Sequence, residues 1–326
     1  MIWLSFKRIK IDTVNKSTKI RLNYLFGGAI SLLLLYCIYR QVAGQLHGID
    51  AGAWRQTAAP GYLLVCIVLM FINTSLEGSK WYLLARSVAD VSYIRAFCSY
   101  LVGIAFSIIT PNRIGEYPGR ILYLGGGNTF RYISISVLGI SAQLSAIYIF
   151  GFAGLIYYNI VFPALMAKLA LGICIVVNII AAVIYWRFED WLPRLVQIRQ
   201  LRRFAMYGML LNRITTRRQI MVLSISLLRF AVFTAQYLFL LRWMNVKMPL
   251  AEGFCMAALF FWIISVIPSV ALAGLGVRGA VSLYLFHHFS SNSVGILAAT
   301  VGIWLLNLIL PSILGSFLIL RMRLLR

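Results

Sequence analysis

Residues 101–124 read LVGIAFSIITPNRIGEYPGRILYL, an apolar stretch that is interrupted in its middle. The interrupting residues are Pro111, Arg113, Glu116, Pro118 and Arg120. Backbone that is broken at membrane depth is tolerated only where protein or a wet cavity satisfies the freed polar groups. We therefore predict a broken helical segment that lies inside a bundle of membrane-spanning helices.

The composition of the whole chain agrees with a membrane location. Of its 326 residues, 61% are hydrophobic and only 12% are charged, whereas an average soluble domain has about 25% charged residues. This excludes a soluble globular protein. The 30 Lys and Arg outnumber the 8 Asp and Glu, which gives a net charge of +22. So few acidic residues also argue against an enzyme with a charge-rich surface.

The sequence predicts an all-α polytopic membrane protein. Apolar runs long enough to cross a hydrocarbon core of about 30 Å lie near residues 22–41, 61–79, 132–158, 163–186, 220–241 and 294–320. Two further apolar segments, 94–124 and 250–290, are interrupted, the second by Pro268, Gly274, Gly276 and Arg278. We predict six full spans and two re-entrant or broken helical segments, with eight simple spans as the alternative.

Clusters of Lys and Arg predict the orientation, because basic flanks of spans stay on the cytoplasmic side. Six basic residues precede the first span, three follow the last, and eight arginines lie between Arg187 and Arg218. Both termini and the 187–218 loop are therefore expected in the cytoplasm. We expect the membrane to be the bacterial cytoplasmic, or inner, membrane.

This orientation divides the single transmembrane domain, residues 1–326, into two halves. Residues 1–162 and 163–326 each follow the order span, span, broken segment, span, and the two halves run in opposite directions. The sequence FSIITP at 106–111 resembles ISVIP at 264–268. We predict an inverted-topology repeat, the arrangement that places a substrate site near the midplane.

The first broken segment holds the main candidate site. Thr110 is suited to cap a helix that begins at Pro111, and a positive helix end beside Arg113 and Arg120 suits an anionic lipid phosphate. The spacing of Glu116 allows an ion pair with either arginine. The alternative is an Arg–Glu–Arg cluster that only fixes the fold of the segment.

Other candidates come from the second broken segment and from charges inside spans. Arg278 offers one more phosphate contact, while Gly274 and Gly276 permit close backbone approach or serve packing alone. Arg229 lies mid-span with no acid within a helical turn of it along the chain, so it is expected to point to an interior partner or cavity. Glu77 and Lys80 are secondary candidates, although their place beside Trp81 and Tyr82 is typical of an interfacial anchor.

Several kinds of site find no support. The five cysteines lie singly in apolar runs, the three histidines have no zinc spacing, and no catalytic triad or paired-carboxylate site can be composed. We expect no metal, no cofactor and no catalytic residue. The basic segments abut membrane spans, so they favour anionic lipids as partners and not nucleic acid.

The pattern Pro111-x-Arg113-x-Gly115-Glu116-x-x-x-Arg120, followed later by Gly274-Leu275-Gly276-Val277-Arg278, resembles the transmembrane domain family of lysylphosphatidylglycerol synthases, also called flippase-like proteins. The resemblance covers roughly residues 20–322. It implies a lipid-translocating membrane domain, here expected without the soluble aminoacyltransferase domain of bifunctional relatives. Such relatives usually have a glutamate after Val-Arg in the second motif, where this chain has Gly279.

Three functions are compatible with these features. The leading hypothesis is a lipid translocase or lipid-binding transporter that holds an anionic phospholipid or lipid-linked phosphate at a midplane site. A membrane-embedded lipid-modifying enzyme that uses Glu116 as a base is the first alternative. The second is a non-catalytic scaffold that recruits a separate synthase. Homo-oligomers are compatible with all three.

The orientation can be tested by thiol labelling from outside the cell. In a Cys-free background, Asp50→Cys and Asn159→Cys should react with an impermeant reagent, because both residues lie in weakly basic links. Ala205→Cys, within the arginine-rich loop, should react only after the membrane is permeabilised. External labelling at position 205 would overturn the topology.

Overall fold

The structure is a computed structural model of the chain. It describes residues 59–108, 110, 113–125, 129–187, 215–267 and 273–320, together with five helical residues between 32 and 40. Throughout this described part the regular structure is helical and contains no strand. The prediction of an all-α membrane protein is confirmed at this level.

Helices follow one another along residues 59–320. Their bounds are α1 (Gly61–Ala85), α2 (Tyr93–Ile108), α3 (Glu116–Leu124), α4 (Thr129–Val161), α5 (Leu165–Trp186), α6 (Thr216–Trp243), α7 (Leu250–Val266), α8 (Ala273–Phe286) and α9 (Ser293–Leu320). One π-helical turn, Leu305–Ile309, lies within α9.

Among the described residues, five helices are long and apolar enough to cross a membrane: α1, α4, α5, α6 and α9. They correspond to five of the six predicted spans. The sixth, at 22–41, lies outside the described residues except for helical positions such as Leu32 and Tyr36. The two interrupted segments each contain two shorter helices, α2 with α3 and α7 with α8.

Helices α2 and α3 pack against each other as an antiparallel pair, here called the first hairpin. Arg95, at the start of α2, donates a hydrogen bond from Nη2 to the carbonyl oxygen of Leu124, the last residue of α3, at 2.7 Å. The chain therefore returns to the level at which it entered. The connection between the two helices lies at the other, inner end of the hairpin.

Helices α7 and α8 form the second hairpin, and its open end lies beside the end of α4. The hydroxyls of Tyr158 and Tyr284 are 2.9 Å apart, and the rings of Phe162 and His288 stack at 4.3 Å. The start of α7 also packs along the last turns of α4. Both outer ends of this hairpin therefore lie at the same level.

The two hairpins open at opposite ends of α4. This helix begins four residues after the first hairpin ends, and its last turns contact the open end of the second hairpin. With 33 residues and a rise of 1.5 Å per residue, it is about 50 Å long. The inner ends of the hairpins consequently face the middle of the bundle from opposite directions.

Equivalent close contacts fix each hairpin to a long helix. A Cβ atom added at Gly154 of α4 would lie 2.3 Å from the carbonyl oxygen of Cys255 in α7. One added at Gly315 of α9 would lie 2.0 Å from the carbonyl oxygen of Leu101 in α2. Each contact is backbone against backbone, so glycine is required at both positions.

Substituting either glycine should separate a hairpin from its supporting helix. We expect Gly154→Leu and Gly315→Leu each to lower the free energy of unfolding by about 1–3 kcal/mol or more. The reason is that a backbone oxygen cannot move aside as a side chain does. The measurement is thermal unfolding of the purified protein in detergent. Gly172→Leu on α5 is the control, since no described atom lies within 4 Å of the added Cβ. Equal unfolding temperatures for all three variants would contradict this packing.

Candidate functional site

Glu77 lies at the centre of a group of buried charged side chains. Its carboxylate is 2.6 Å from Nζ of Lys80, 3.2 Å from Nη1 of Arg229 and 3.3 Å from Nη2 of Arg120. The side chains of Glu77 and Lys80 are 9% and 3% exposed. One carboxylate is thus shared by three cations from α1, α3 and α6.

The interpretation of Glu77 and Lys80 as an interfacial anchor is wrong. That interpretation placed the end of the second span at residue 79, whereas α1 continues to Ala85. The additional turns carry both side chains inside the bundle, against α3, α4 and α6. A buried ion pair of this kind costs desolvation energy and is kept only when its partners are well placed.

Glu116 is the second buried acid, and it pairs with both arginines that flank it. Its carboxylate is 3.2 Å from Nη2 of Arg113 and also contacts Nη2 of Arg120. Both spacings proposed from the sequence are therefore observed. Pro118 does not disturb the helix, because it lies in the first turn of α3, where backbone N–H groups need no helical partner.

The predicted helix start at Pro111 lies outside the described residues; among those that are described, α3 begins at Glu116. Arg113 has a positive φ of 60°, which breaks the helical path before that point. Thr110 still acts as a cap, because its Oγ1 accepts a hydrogen bond from the backbone N–H of Gly115 at 2.7 Å. The chain reverses between the hairpin helices through this turn; residues 111–112 lie outside the described residues.

Arg120 is held on every side by protein. Its guanidinium lies over the rings of Trp81, Tyr100 and Tyr117, at 4.9, 5.0 and 5.7 Å from their centroids. It also bridges Glu77 and Glu116, and its side chain is only 4% exposed. Arg120 therefore joins the first hairpin to α1 and is not directed towards the cavity described next.

A cavity of ≈ 360 Å³ lies where the two hairpins meet α4, α6 and α9. Three arginines line it, each from a different part of the fold. Arg113 comes from the turn of the first hairpin, Arg229 from α6 and Arg278 from α8 of the second hairpin. Among the described residues no carboxylate contributes to the lining. The wall is therefore positively charged.

Arg278 differs from the other two arginines in having no ion pair with any described residue. Its Nε is buried and has no hydrogen-bond partner there, and it lies within electrostatic range of Arg113. Gly276, two residues earlier, faces open space among the described atoms, so close packing does not require it. Gly274 lies in the first turn of α8, and nothing more is described of it.

Amide side chains extend the site, and the sequence analysis missed them because it followed charges alone. The Oε1 of Gln143 accepts hydrogen bonds from Arg229 at 2.8 Å and from Lys80 at 3.3 Å. Asn307, in the π-helical turn of α9, lines the cavity and bonds Asn73 and Gln236 at 2.7 and 2.8 Å. The presence of Asn and Gln inside apolar spans could have identified these residues from the sequence. The π-helical turn, in contrast, has no signature in the sequence.

The structure thus brings together the predicted residues in two connected sets. The charge cluster is formed by Glu77, Lys80, Arg113, Glu116, Arg120, Arg229 and the amide of Gln143. The cavity is lined by Arg113, Arg229 and Arg278, so Arg113 and Arg229 belong to both sets. Within the described residues no group of three or more His, Cys, Asp or Glu is placed to hold a metal ion.

Comparison with family models identifies the protein's relatives. The model described as "Lysylphosphatidylglycerol synthase TM region" matches residues 24–315. The chain belongs to this family. It is an integral membrane protein, as the match and its long apolar helices both indicate. A comparison with curated proteins found no match.

The second motif of this family member also explains why Arg278 has no acid beside it. At the position after Val277-Arg278 the chain has Gly279, which is buried. A Cβ there would lie 3.1 Å from a side-chain carbon of Leu297 on α9. Gly279 therefore packs against α9 and supplies no acid beside Arg278.

The charge cluster can be tested by removing its central acid. Glu77→Gln should lower the free energy of unfolding by about 3–5 kcal/mol, because Lys80, Arg120 and Arg229 would remain buried with too few anions. Adding Arg229→Gln should recover part of the loss, and the double-mutant cycle measures this coupling by thermal unfolding. The control is Glu252→Gln, which changes a half-buried acid in the first turn of α7, outside the charge cluster. Additive effects of the two substitutions would contradict the shared ion pair.

Proposed function

We propose that this protein is a lipid translocase that binds the phosphate of an anionic lipid in the arginine-lined cavity between the two hairpins. The observation that carries the proposal is the lining of this cavity. Three arginines contribute to it, and one of them has no ion pair among the described residues. The described part of the chain contributes no carboxylate to the lining. Guanidinium groups grip phosphate oxygens with two parallel hydrogen bonds. Uncompensated charge inside a membrane protein usually marks a substrate path.

The depth of the cavity supports a role in moving lipid head groups across the membrane. Gln143, which lines the cavity, lies 14 residues after the start of α4 and 18 before its end. Arg229 lies 13 residues after the start of α6 and 14 before its end. A polar site at this depth is of no use to an interfacial enzyme, but a head group that crosses the bilayer must pass it.

The contacts between helices support an inverted repeat of the halves 1–162 and 163–326. In this pairing α1 corresponds to α6, the first hairpin to the second, and α4 to α9. The contact of α4 with α7 has its counterpart in α9 with α2, down to Gly154 and Gly315. The contact of α1 with α2 has its counterpart in α6 with α7. Because the hairpins open at opposite ends of α4, the repeat is inverted and not parallel.

An inverted repeat supplies a mechanism of alternating access. Either hairpin, rocking against its supporting helix, opens the cavity to the side from which that hairpin enters. Arg113 is suited to follow a moving head group, because its side chain is 48% exposed and Glu116 is its one ion-pair partner among the described residues. Arg229, held by Glu77 and Gln143, provides the fixed part of the site.

The distribution of charge supports the proposed orientation. The end of the bundle at which the first hairpin opens carries Arg86, Arg95, Arg131, Arg187, Arg217 and Arg218. The opposite end carries Lys168, Arg242 and Lys247. The positive-inside rule places the arginine-rich end in the cytoplasm, so the first hairpin enters from that side. The membrane in this proposal is the bacterial cytoplasmic membrane.

The geometry favours a carrier over a lipid-modifying enzyme. The enzyme hypothesis needs Glu116 as a base that reaches the substrate, yet Glu116 is paired with two arginines and does not line the cavity. Removing its ion pairs would be a precondition for proton transfer. A scaffold function leaves the arginine-lined cavity without a purpose.

The proposal predicts that the cavity arginines bind lipid while Arg120 stabilises the fold. Arg113→Ala with Arg278→Ala should reduce the bound anionic lipid, measured by native mass spectrometry, by about tenfold or more, since each lost charge-assisted hydrogen bond is worth about 1.5–3 kcal/mol. Dithionite quenching of fluorescent lipid in proteoliposomes should show a matching loss of translocation. The corresponding Lys variants should recover part of both, because an ammonium lacks the planar fork.

The matched control is Arg217→Ala with Arg218→Ala at the start of α6, which removes two arginines far from the cavity. Arg120→Ala should lower the unfolding temperature, unlike the cavity variants. Unchanged lipid binding and translocation in the cavity double variant would overturn the proposed function.

A further inference from the structure

The number of charges around the cavity bears on which anionic lipid it accepts. The charge cluster and the cavity wall together contain five basic residues, Lys80, Arg113, Arg120, Arg229 and Arg278. They contain two acids, Glu77 and Glu116, both engaged in ion pairs. The described residues of the two sets therefore carry a net charge of +3, although Arg278 is the one basic residue among these five without an ion pair to a described residue.

No other described acid is placed to balance this excess. Asp90 lies in the connection between α1 and α2, and Glu252 lies in the first turn of α7, at opposite ends of the bundle. The undescribed stretches inside the two hairpins, residues 109, 111–112 and 268–272, contain no acidic residue. Within the described part of the chain no carboxylate balances this charge, so a bound anion is suited to do so.

We infer that the cavity is built for a phosphate group with at least two negative charges, a phosphomonoester or a diphosphate, and that it discriminates against an aminoacylated head group. This inference rests on the proposed function. A phosphodiester such as phosphatidylglycerol carries one negative charge and would leave two cations buried and unbalanced. A phosphomonoester carries between 1.5 and 2 negative charges near pH 7, and three arginines favour its fully ionised form.

An aminoacylated lipid is the least suitable ligand for this wall. Lysylphosphatidylglycerol has one phosphate charge and two ammonium groups, so its head group is positive overall. Its ammonium groups would need carboxylates, and the described part of the wall offers none. Gly279, the residue next to Arg278, contributes no acid that could pair with an ammonium group.

The size and the other polar groups of the cavity agree with a compact head group. Its volume of ≈ 360 Å³ is at the lower end of the range of about 300–1,000 Å³ for ligand pockets. Besides the arginines, Gln143 lines it, and the NH₂ group of its amide can donate a hydrogen bond to a remaining phosphate oxygen. Phe230, Phe233 and Phe261 contribute apolar wall on which the start of an acyl chain can lie.

The test is a competition among lipids of identical acyl chains and different head-group charge. The full-length protein is placed in phosphatidylcholine nanodiscs with equal amounts of phosphatidic acid, phosphatidylglycerol and lysylphosphatidylglycerol, and bound lipid is identified by native mass spectrometry. We expect phosphatidic acid to exceed phosphatidylglycerol by about tenfold, the ratio that one additional charge-assisted contact provides. Lysylphosphatidylglycerol should not compete.

Variants at Arg278 connect this preference to the cavity. Arg278→Gln should reduce the ratio of phosphatidic acid to phosphatidylglycerol towards one, because one of the excess charges is gone. Arg278→Lys should preserve the ratio, which guards against a loss caused by misfolding. Arg217→Gln is the control outside the cavity. An unchanged ratio in Arg278→Gln would overturn the inference.

A further arm distinguishes a lipid from a soluble source of the same group. Inorganic pyrophosphate is added to the protein in nanodiscs. If pyrophosphate displaces phosphatidic acid at equal concentration, the site recognises the phosphate group without the lipid. The preference for a phosphate with at least two negative charges is then supported. Equal binding of phosphatidic acid and phosphatidylglycerol would overturn the inference but leave the proposed function intact. The absence of any preference for anionic over neutral lipid would overturn the proposed function itself.

Discussion

The fold has to accommodate several positively charged Lys and Arg side chains inside an apolar helix bundle. Glu77 is the acid that makes this feasible, because it contacts Lys80, Arg120 and Arg229, which come from three different helices. The contacts with Arg120 and Arg229 join α1 to helices that are far apart from it in the sequence, whereas Lys80 lies on α1 itself. The carboxylate therefore fixes the positions of α1, α3 and α6 relative to one another, in a region where apolar packing alone would allow helices to slide or rotate.

The same acid determines which cations remain free to act. Arg120 contacts two carboxylates and three aromatic rings. Arg229 is partly occupied, and Arg278 has no acid among the described residues. This gradation separates structural arginines from those that face the cavity. Residue type alone does not make this distinction, since all of them are arginines inside apolar segments.

The sequence predicted the membrane class, five spans that the structure describes and most of the charged site, because apolar length and intramembrane charge are strong local signals. It did not predict the left-handed backbone of Arg113, which precedes the start of α3 at Glu116, because no residue type here requires a positive φ. It also misjudged Glu77 and Lys80, because a helix end was inferred from the first charges met. Pairing of Glu77 with Arg120, 43 positions apart, is a property of helix packing that no local pattern reports.

The length of α4 has a consequence for the way the protein fits its bilayer. At about 50 Å it exceeds the hydrocarbon thickness of about 30 Å, so it must tilt or extend into both head-group layers. Since each hairpin opens at one end of this helix, its tilt fixes the vertical separation of the two entrances. A thicker bilayer reduces the tilt of α4 and a thinner bilayer increases it. Membrane thickness therefore changes the distance, along the membrane normal, between the open ends of the two hairpins.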